Sequence, residues 1–282
     1  MTDLQTAILE IFRQVKAICD NLGVRCFAVG GTAIGAVRHG GFIPWDDDLD
    51  IAIPIEDYER FCAEVPGYLP PYLELRSYRT TIHNQNVFSK VIDVRTTDVE
   101  PIEMDYPDAY KGVFIDVLPM SGVPSCSFLR KGFTAKAYIY GVLAMGLAWR
   151  WNDCSTAKRK AVWVVSRLAS PFCNSQAVLQ KWEKLLISQP FDKAEYVGYT
   201  WWPKVAKLVF PKAWFDGYVL MDFEDTEIRM PIGYDEYLRK QFGDYMQLPP
   251  EEQRYTHHGF IDLEHSYRDY RDGLRSLPRE RE

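Results

Sequence analysis

The chain has 282 residues, 47% hydrophobic and 26% charged, a composition ordinary for a soluble globular protein that argues against disorder. Its net charge is −6, so a polymeric nucleic acid is not the expected substrate, because a phosphate backbone selects basic surfaces. A small nucleotide stays compatible if a metal ion supplies the positive charge.

Residues 3–22 carry Leu4, Ile8, Ile11, Phe12, Val15, Ile18 and Leu22 at helical spacing, and Gly23 ends the run. This opening reads as an amphipathic helix rather than a signal peptide. The six cysteines form no CxxC pair and no zinc-spaced cluster, and free thiols in the cytosol are the simplest reading. VRCFAV, 24–29, reads as a short buried strand broken by Gly30-Gly31, with Thr32 capping a short helix to about Arg38. DLDIAIP, 48–54, alternates as a strand does, and 56–65 reads as a helix. YLELRSY, NVFSKVIDV and GVFIDVLP (112–119) follow as strands.

From about 126 to 188 the pattern is helical and rich in Lys, Arg and Trp; from 195 short aromatic strands return, with a helix near 234–242. The order predicts an α/β (α+β) fold with a central mixed sheet. The expected division is a catalytic core over 1–125, a helical insertion over 126–195 facing the acceptor or a membrane, and a 196–282 part completing the catalytic domain. No run reaches the roughly 18–20 apolar residues that span a bilayer. AYIYGVLAMGLAW, 137–149, comes nearest and reads as a buried helix, with a membrane-surface contact as the sharper alternative.

Chemistry concentrates at WDDDLDI. Side chains at i and i+2 of a strand share a face, so Asp48 and Asp50 point one way, and Asp46 joins them if the strand reaches back that far. Carboxylates crowded in this way are unfavourable unless a cation lies between them, and oxygen ligands suit a hard ion such as Mg²⁺. An acidic surface loop is the plain alternative. Asp116, inside the apolar run VFIDVL, is expensive to bury alone and fits a third ligand or a base; a strand-end Asp held by backbone N–H groups is its alternative. A Gly-Gly pair between strand and helix lets backbone N–H groups approach a phosphate. Together these pieces suit phosphoryl or nucleotidyl transfer, which needs metals and positioning rather than a covalent nucleophile.

The segment GGTAIGAVRHGGFIPWDDDLDIAI, 30–53, resembles the signature of the LicD family, which includes bacterial phosphocholine transferases and fukutin-type ribitol-phosphate transferases. KGVFIDVLPM, 111–120, and the run from Phe223 to His258 are similar to further family blocks. The resemblance implies a nucleotidyltransferase-like fold and transfer of a phospho-alcohol, typically phosphocholine, from a CDP-linked donor such as CDP-choline to a glycan hydroxyl. It implies Asp48, Asp50 and Asp116 as catalytic residues and, with Asp46, as ligands of Mg²⁺ (or Mn²⁺). It places Gly30 and Gly31 at a phosphate-facing turn, Arg38 and Lys90 on donor phosphates, and His257 or His258 near the site. Tyr234, Tyr237 and Trp214 read as core. The expected partners are a CDP-linked alcohol and a glycan or lipid-linked glycan, with no nucleic acid, in a cytoplasmic protein that touches the inner membrane face if the acceptor is lipid-linked. A DxD glycosyltransferase, a true nucleotidyltransferase and a non-catalytic binding protein are the competing readings.

Overall fold

A computed structural model describes residues 1–80, 85–101, 103, 104, 106–151, 154–200, 208–254, 259–270 and 274. Helix α1 (Asp3–Leu22) opens with a capping box, in which Thr2 Oγ1 accepts from Gln5 N and Gln5 Oε1 accepts from Thr2 N. Its apolar stripe, from Leu4 to Ile18, is buried, and Gly23 closes it at φ 64°.

The central sheet runs β1 (Phe27–Ala28), β2 (Asp50–Pro54), β6 (Phe114–Val123), β4 (Ser89–Asp93), β3 (Leu73–Arg76) in spatial order. β2 and β6 are parallel, and every other neighbouring pair is antiparallel. This is the mixed sheet expected from the order of elements. β6 is longer than its apolar run predicts. Its first half pairs with β2 and β4, and its last residues pair with β7 (Tyr196–Gly198), which continues to β8 (Val209–Pro211). Helices α1 and α3 (Ile55–Glu64) pack on this sheet. Helix α2 (Gly30–His39) packs on β2 and on the hairpin β9 (Tyr218–Phe223) and β10 (Thr226–Pro231). Strand β5 (Thr97–Val99) pairs separately with β11 (Phe260–Asp262), and α7 (Tyr234–Phe242) falls where the sequence puts it.

Two local expectations need correction. β2 starts at Asp50, so Asp46 and Asp48 precede the strand rather than extending its face. Helix α2 starts at Gly30, with Val29 as an N-cap that makes no side-chain bond, so Thr32 lies inside the helix instead of capping it. Gly30 sits at φ 61°, a backbone state open to glycine, and the helix starts three residues early.

Between β6 and β7 lie α4 (Ser127–Ala148), α5 (Ala157–Ala169) and α6 (Ser175–Ile187). The apolar run 137–149 belongs to α4, which packs against both other helices and buries Ala137, Gly141, Ala144 and Leu147. Among the described residues no helix is long and apolar enough to cross a membrane.

Candidate active site

The parallel register of β2 and β6 sets Asp50 beside Asp116, and the antiparallel register of β6 and β4 sets Asp116 beside Lys90. Cross-strand neighbours share a face, so acid, acid and base form one row over three strands. Lys90 Nζ lies 2.7 Å from Asp116 Oδ1, and 3.4 Å from the centre of the Phe114 ring. The ion pair is close but not aligned as a hydrogen bond, so Asp116 Oδ1 keeps an unfilled acceptor position. One further step along the row, Arg76 faces Lys90 from β3, but it is turned to the Tyr110 carbonyl and the Tyr267 hydroxyl.

The other two acids reach the row from the loop before β2. Gln5 fixes that loop: its Nε2 donates to Asp46 O at 2.9 Å and to Ile43 O at 3.3 Å. The residue that caps α1 therefore also ties down the approach to the acids. Replacing Gln5 with Ala removes both bonds from a buried position and should cost about 1 kcal/mol of stability. We expect kcat to fall with it, read by thermal unfolding and turnover on one preparation; an unchanged kcat would free the loop from Gln5.

The glycine pair packs against carboxylates. A Cβ on Gly30 would lie 2.8 Å from Asp50 Oδ2, and one on Gly31 would lie 2.4 Å from Asp46 Oδ2. The turn expected to meet a phosphate is thus filled, in the absence of ligand, by the acids themselves. The start of α2 is where negative charge is best placed. Gly31→Ala should displace Asp46 and lower kcat/KM by about tenfold or more while the fold persists. Circular dichroism alongside the assay separates the two effects, and wild-type kinetics in a folded variant would contradict the packing account.

Three side chains that the sequence does not assign to the site hold this arrangement. Thr32 Oγ1 accepts from Asp50 N at 2.8 Å, tying α2 to the first residue of β2. The Tyr237 hydroxyl, on α7, accepts from Gly30 N at 2.9 Å, so this wholly buried tyrosine is core and also a fixture of the site. Glu224 Oε1 accepts from Phe42 N and its own N–H donates to Gly40 O, which pins the loop after α2. Only the FEDTE run pointed at Glu224, and nothing marked Thr32 as more than a cap.

Electrostatics follow the crowding. Burial, then the charges of Asp48 and Asp47, push the Asp46 carboxyl up to about 8. Burial pushes Asp50 well above the usual carboxylate range, with Asp48 and Asp116 adding to it and Lys90 opposing. Burial also raises Asp116, against the pull of Lys90.

Arg38 lies elsewhere than on this row. Its guanidinium donates to the carbonyls of Tyr245 (2.8 Å) and Gln247 (3.3 Å) and to His39 Nε2, and burial together with nearby Arg254 lowers it. Lys90 is committed to Asp116 rather than standing free for a phosphate. His257 and His258 lie outside the described residues.

Comparison with known proteins matches residues 23–130 to the family described as LicD/FKTN/FKRP, nucleotidyltransferase domain. The match contains α2, the acid loop, β2, β4 and all of β6. This domain belongs to the LicD family. Over 270 residues the chain is 27% identical to the lipopolysaccharide cholinephosphotransferase LicD of Haemophilus influenzae, covering 92% of this chain and 96% of that one. It is 45% identical over 61 residues to the human ribitol 5-phosphate transferase FKRP, a stretch that is 22% of this chain and 12% of FKRP. These similarities support an enzyme of the phosphotransferase class.

The four aspartates are oxygen donors of the kind a hard divalent ion takes, like-charged and, except for Asp48, partly buried. The set is open rather than closed. Among the described residues no three Asp, Glu, His or Cys side chains are gathered tightly enough to hold an ion as they stand. Asp116 turns to Lys90 instead.

Proposed function

We propose that this LicD-family enzyme transfers phosphocholine from CDP-choline to a hydroxyl of a cell-surface glycan or its lipid-linked precursor. The observation that carries the reading is the row Asp50, Asp116 and Lys90 beside the start of α2, with Asp46 and Asp48 delivered to it by the preceding loop. The 27% identity with a lipopolysaccharide cholinephosphotransferase over nearly its whole length supports the choice of cargo and of a glycan acceptor.

Asp46, Asp48, Asp50 and Asp116 would hold Mg²⁺ (or Mn²⁺). The ion would neutralise the donor phosphates so that CMP can leave. The protein supplies position. The α2 start offers backbone N–H groups toward negative charge. Lys90 brings a positive charge to the edge of the acid row, where it restrains Asp116 and balances the site before donor arrives. Asp116, raised by burial, is suited to take the proton of the acceptor hydroxyl. Residues 126–195 form the part that meets the acceptor, with a peripheral contact at the inner face of the membrane.

Calorimetric titration with CDP-choline, CDP-ribitol, CDP-glycerol and a UDP-sugar, each with and without Mg²⁺, tests the donor. Mg²⁺-dependent binding of CDP-choline, lost in Asp48→Ala/Asp50→Ala, is the expected result. Binding of the UDP-sugar alone would make the protein a glycosyltransferase instead.

A further inference from the structure

Charge is unevenly divided along this chain. Residues 126–175 hold eight Lys and Arg against one acid, although the whole chain has 33 against 39, so elsewhere acids lead by 38 to 25. The same segment carries the most exposed apolar side chains of the described structure, Phe172 at 90% and Phe128 at 82%. Helix α5 concentrates both properties.

α5 packs chiefly on α4, and its inner contact is small: Ser166, its one buried residue, sits against Gly146. The opposite side is apolar and bare. Ala157, Ala161, Val164, Val165 and Leu168 fall within an arc of about 100° at 3.6 residues per turn. Val165 is 65% and Leu168 73% exposed. On the helical wheel Lys158 borders this stripe on one edge and Lys160 on the other. Next to it, Trp151 and Trp163 meet edge to face, with Lys160 Nζ 5.3 Å from the first ring and Arg167 Cζ 5.1 Å from the second. In water such a surface leaves apolar area unpartnered. At a lipid interface each part has a place: the stripe among acyl chains, tryptophans at headgroup depth, and lysines and arginines on lipid phosphates.

We propose that the outer face of α5, with Phe172 in the turn that follows, docks the enzyme on an anionic phospholipid bilayer. The inference deepens the membrane contact of the proposed function, and it places that contact on α5 rather than on the 137–149 run, which turns Ala137, Gly141, Ala144 and Leu147 inward and leaves Tyr138 and Ile139 exposed. Segregated charge selects the lipid surface over a second copy of this chain, since two such faces would repel.

Flotation of the full chain with phosphatidylcholine vesicles, and with vesicles containing one quarter phosphatidylglycerol, tests this without reference to turnover. The expected result is about tenfold more protein on the anionic vesicles at low salt, falling steeply as added salt shortens the screening length. Val165→Asp/Leu168→Asp and, separately, Lys158→Gln/Arg159→Gln/Lys160→Gln should each abolish the difference; all five positions are exposed, so the fold tolerates them. No binding to anionic vesicles, or binding that neither variant weakens, overturns the proposal. So does a dimer in solution that Leu168→Asp dissociates in a protein that ignores vesicles. Calorimetry with CDP-choline on the same variants should match wild type, which separates failure of docking from failure of the donor reading.

Discussion

Asp50→Asn should lower kcat/KM by on the order of 10³-fold and, in the absence of divalent cation, make the protein more stable. Both effects have one cause. Asp50 is partly buried among Asp46, Asp48 and Asp116, and only Lys90 opposes the crowding. A neutral isostere relieves the repulsion and forfeits the ligand. The gain should be roughly 1 kcal/mol, about 3 °C in Tm at pH 8.

The sign of the pH dependence follows. A free aspartate titrates near about 3.9, whereas Asp46 is held up to about 8 and Asp50 and Asp116 are also raised. Groups whose folded value lies above the unfolded one bind protons more tightly in the folded state. Stability from this cluster is therefore greatest at low pH and is lost as pH rises past 4 through the raised values, of which that of Asp46 is about 8. The metal-free wild type should lose Tm over this range more than Asp50→Asn does, and Mg²⁺ should restore more at pH 8 than at pH 6. A variant that is both inactive and less stable at pH 8 would contradict the crowding account.

Lys90→Met carries the second large effect. It strips Asp116 of its only close positive charge in the described structure and leaves a crowded carboxylate facing Asp50. Both side chains are largely shielded, at 22% and 15% exposed, so the loss should reach about 2 kcal/mol at neutral pH. It should shrink as pH falls, because Asp116, already raised by burial, takes up a proton instead. Lys90→Arg should recover most of the stability, because charge survives, but not all the activity, because the larger, delocalised guanidinium cannot place its charge as the compact ammonium does 2.7 Å from Asp116 Oδ1. Denaturant unfolding at pH 5 and 7.5 on the three proteins reads this, and equal losses at both pH values would remove Asp116 as the responsible group.

The sequence showed which residue types matter better than how they meet. Strand alternation placed Leu49 and Ile51 in the core, where they are fully buried, and gave the mixed sheet. It paired Asp48 with Asp50, two residues apart on one strand. The structure pairs Asp50 with Asp116, sixty-six positions away, because β2 and β6 lie parallel in one register. Strand register is a long-range property that local periodicity does not contain. Gly30-Gly31 was legible as a special backbone, but its close contact with Asp50 and Asp46 needed the packed loop. Nothing in the sequence marked Gln5, whose amide completes the α1 capping box and also reaches the acid loop forty-one residues on. Lys90 was marked as basic and assigned to phosphate, since nothing local shows that antiparallel β4 delivers it to Asp116. The apolar run in α4 drew attention as the longest, while the exposed stripe of α5, broken up by lysines, needed the neighbouring helix to show which side stays bare.

The most direct test of the central claim is CMP release from CDP-choline by the full chain with a lipopolysaccharide acceptor, with Mg²⁺, with EDTA, and for Asp48→Asn/Asp50→Asn. The account predicts release that requires acceptor and Mg²⁺ and falls at least about 10³-fold in the double variant. Release that survives EDTA, or a double variant that turns over like wild type, would contradict it.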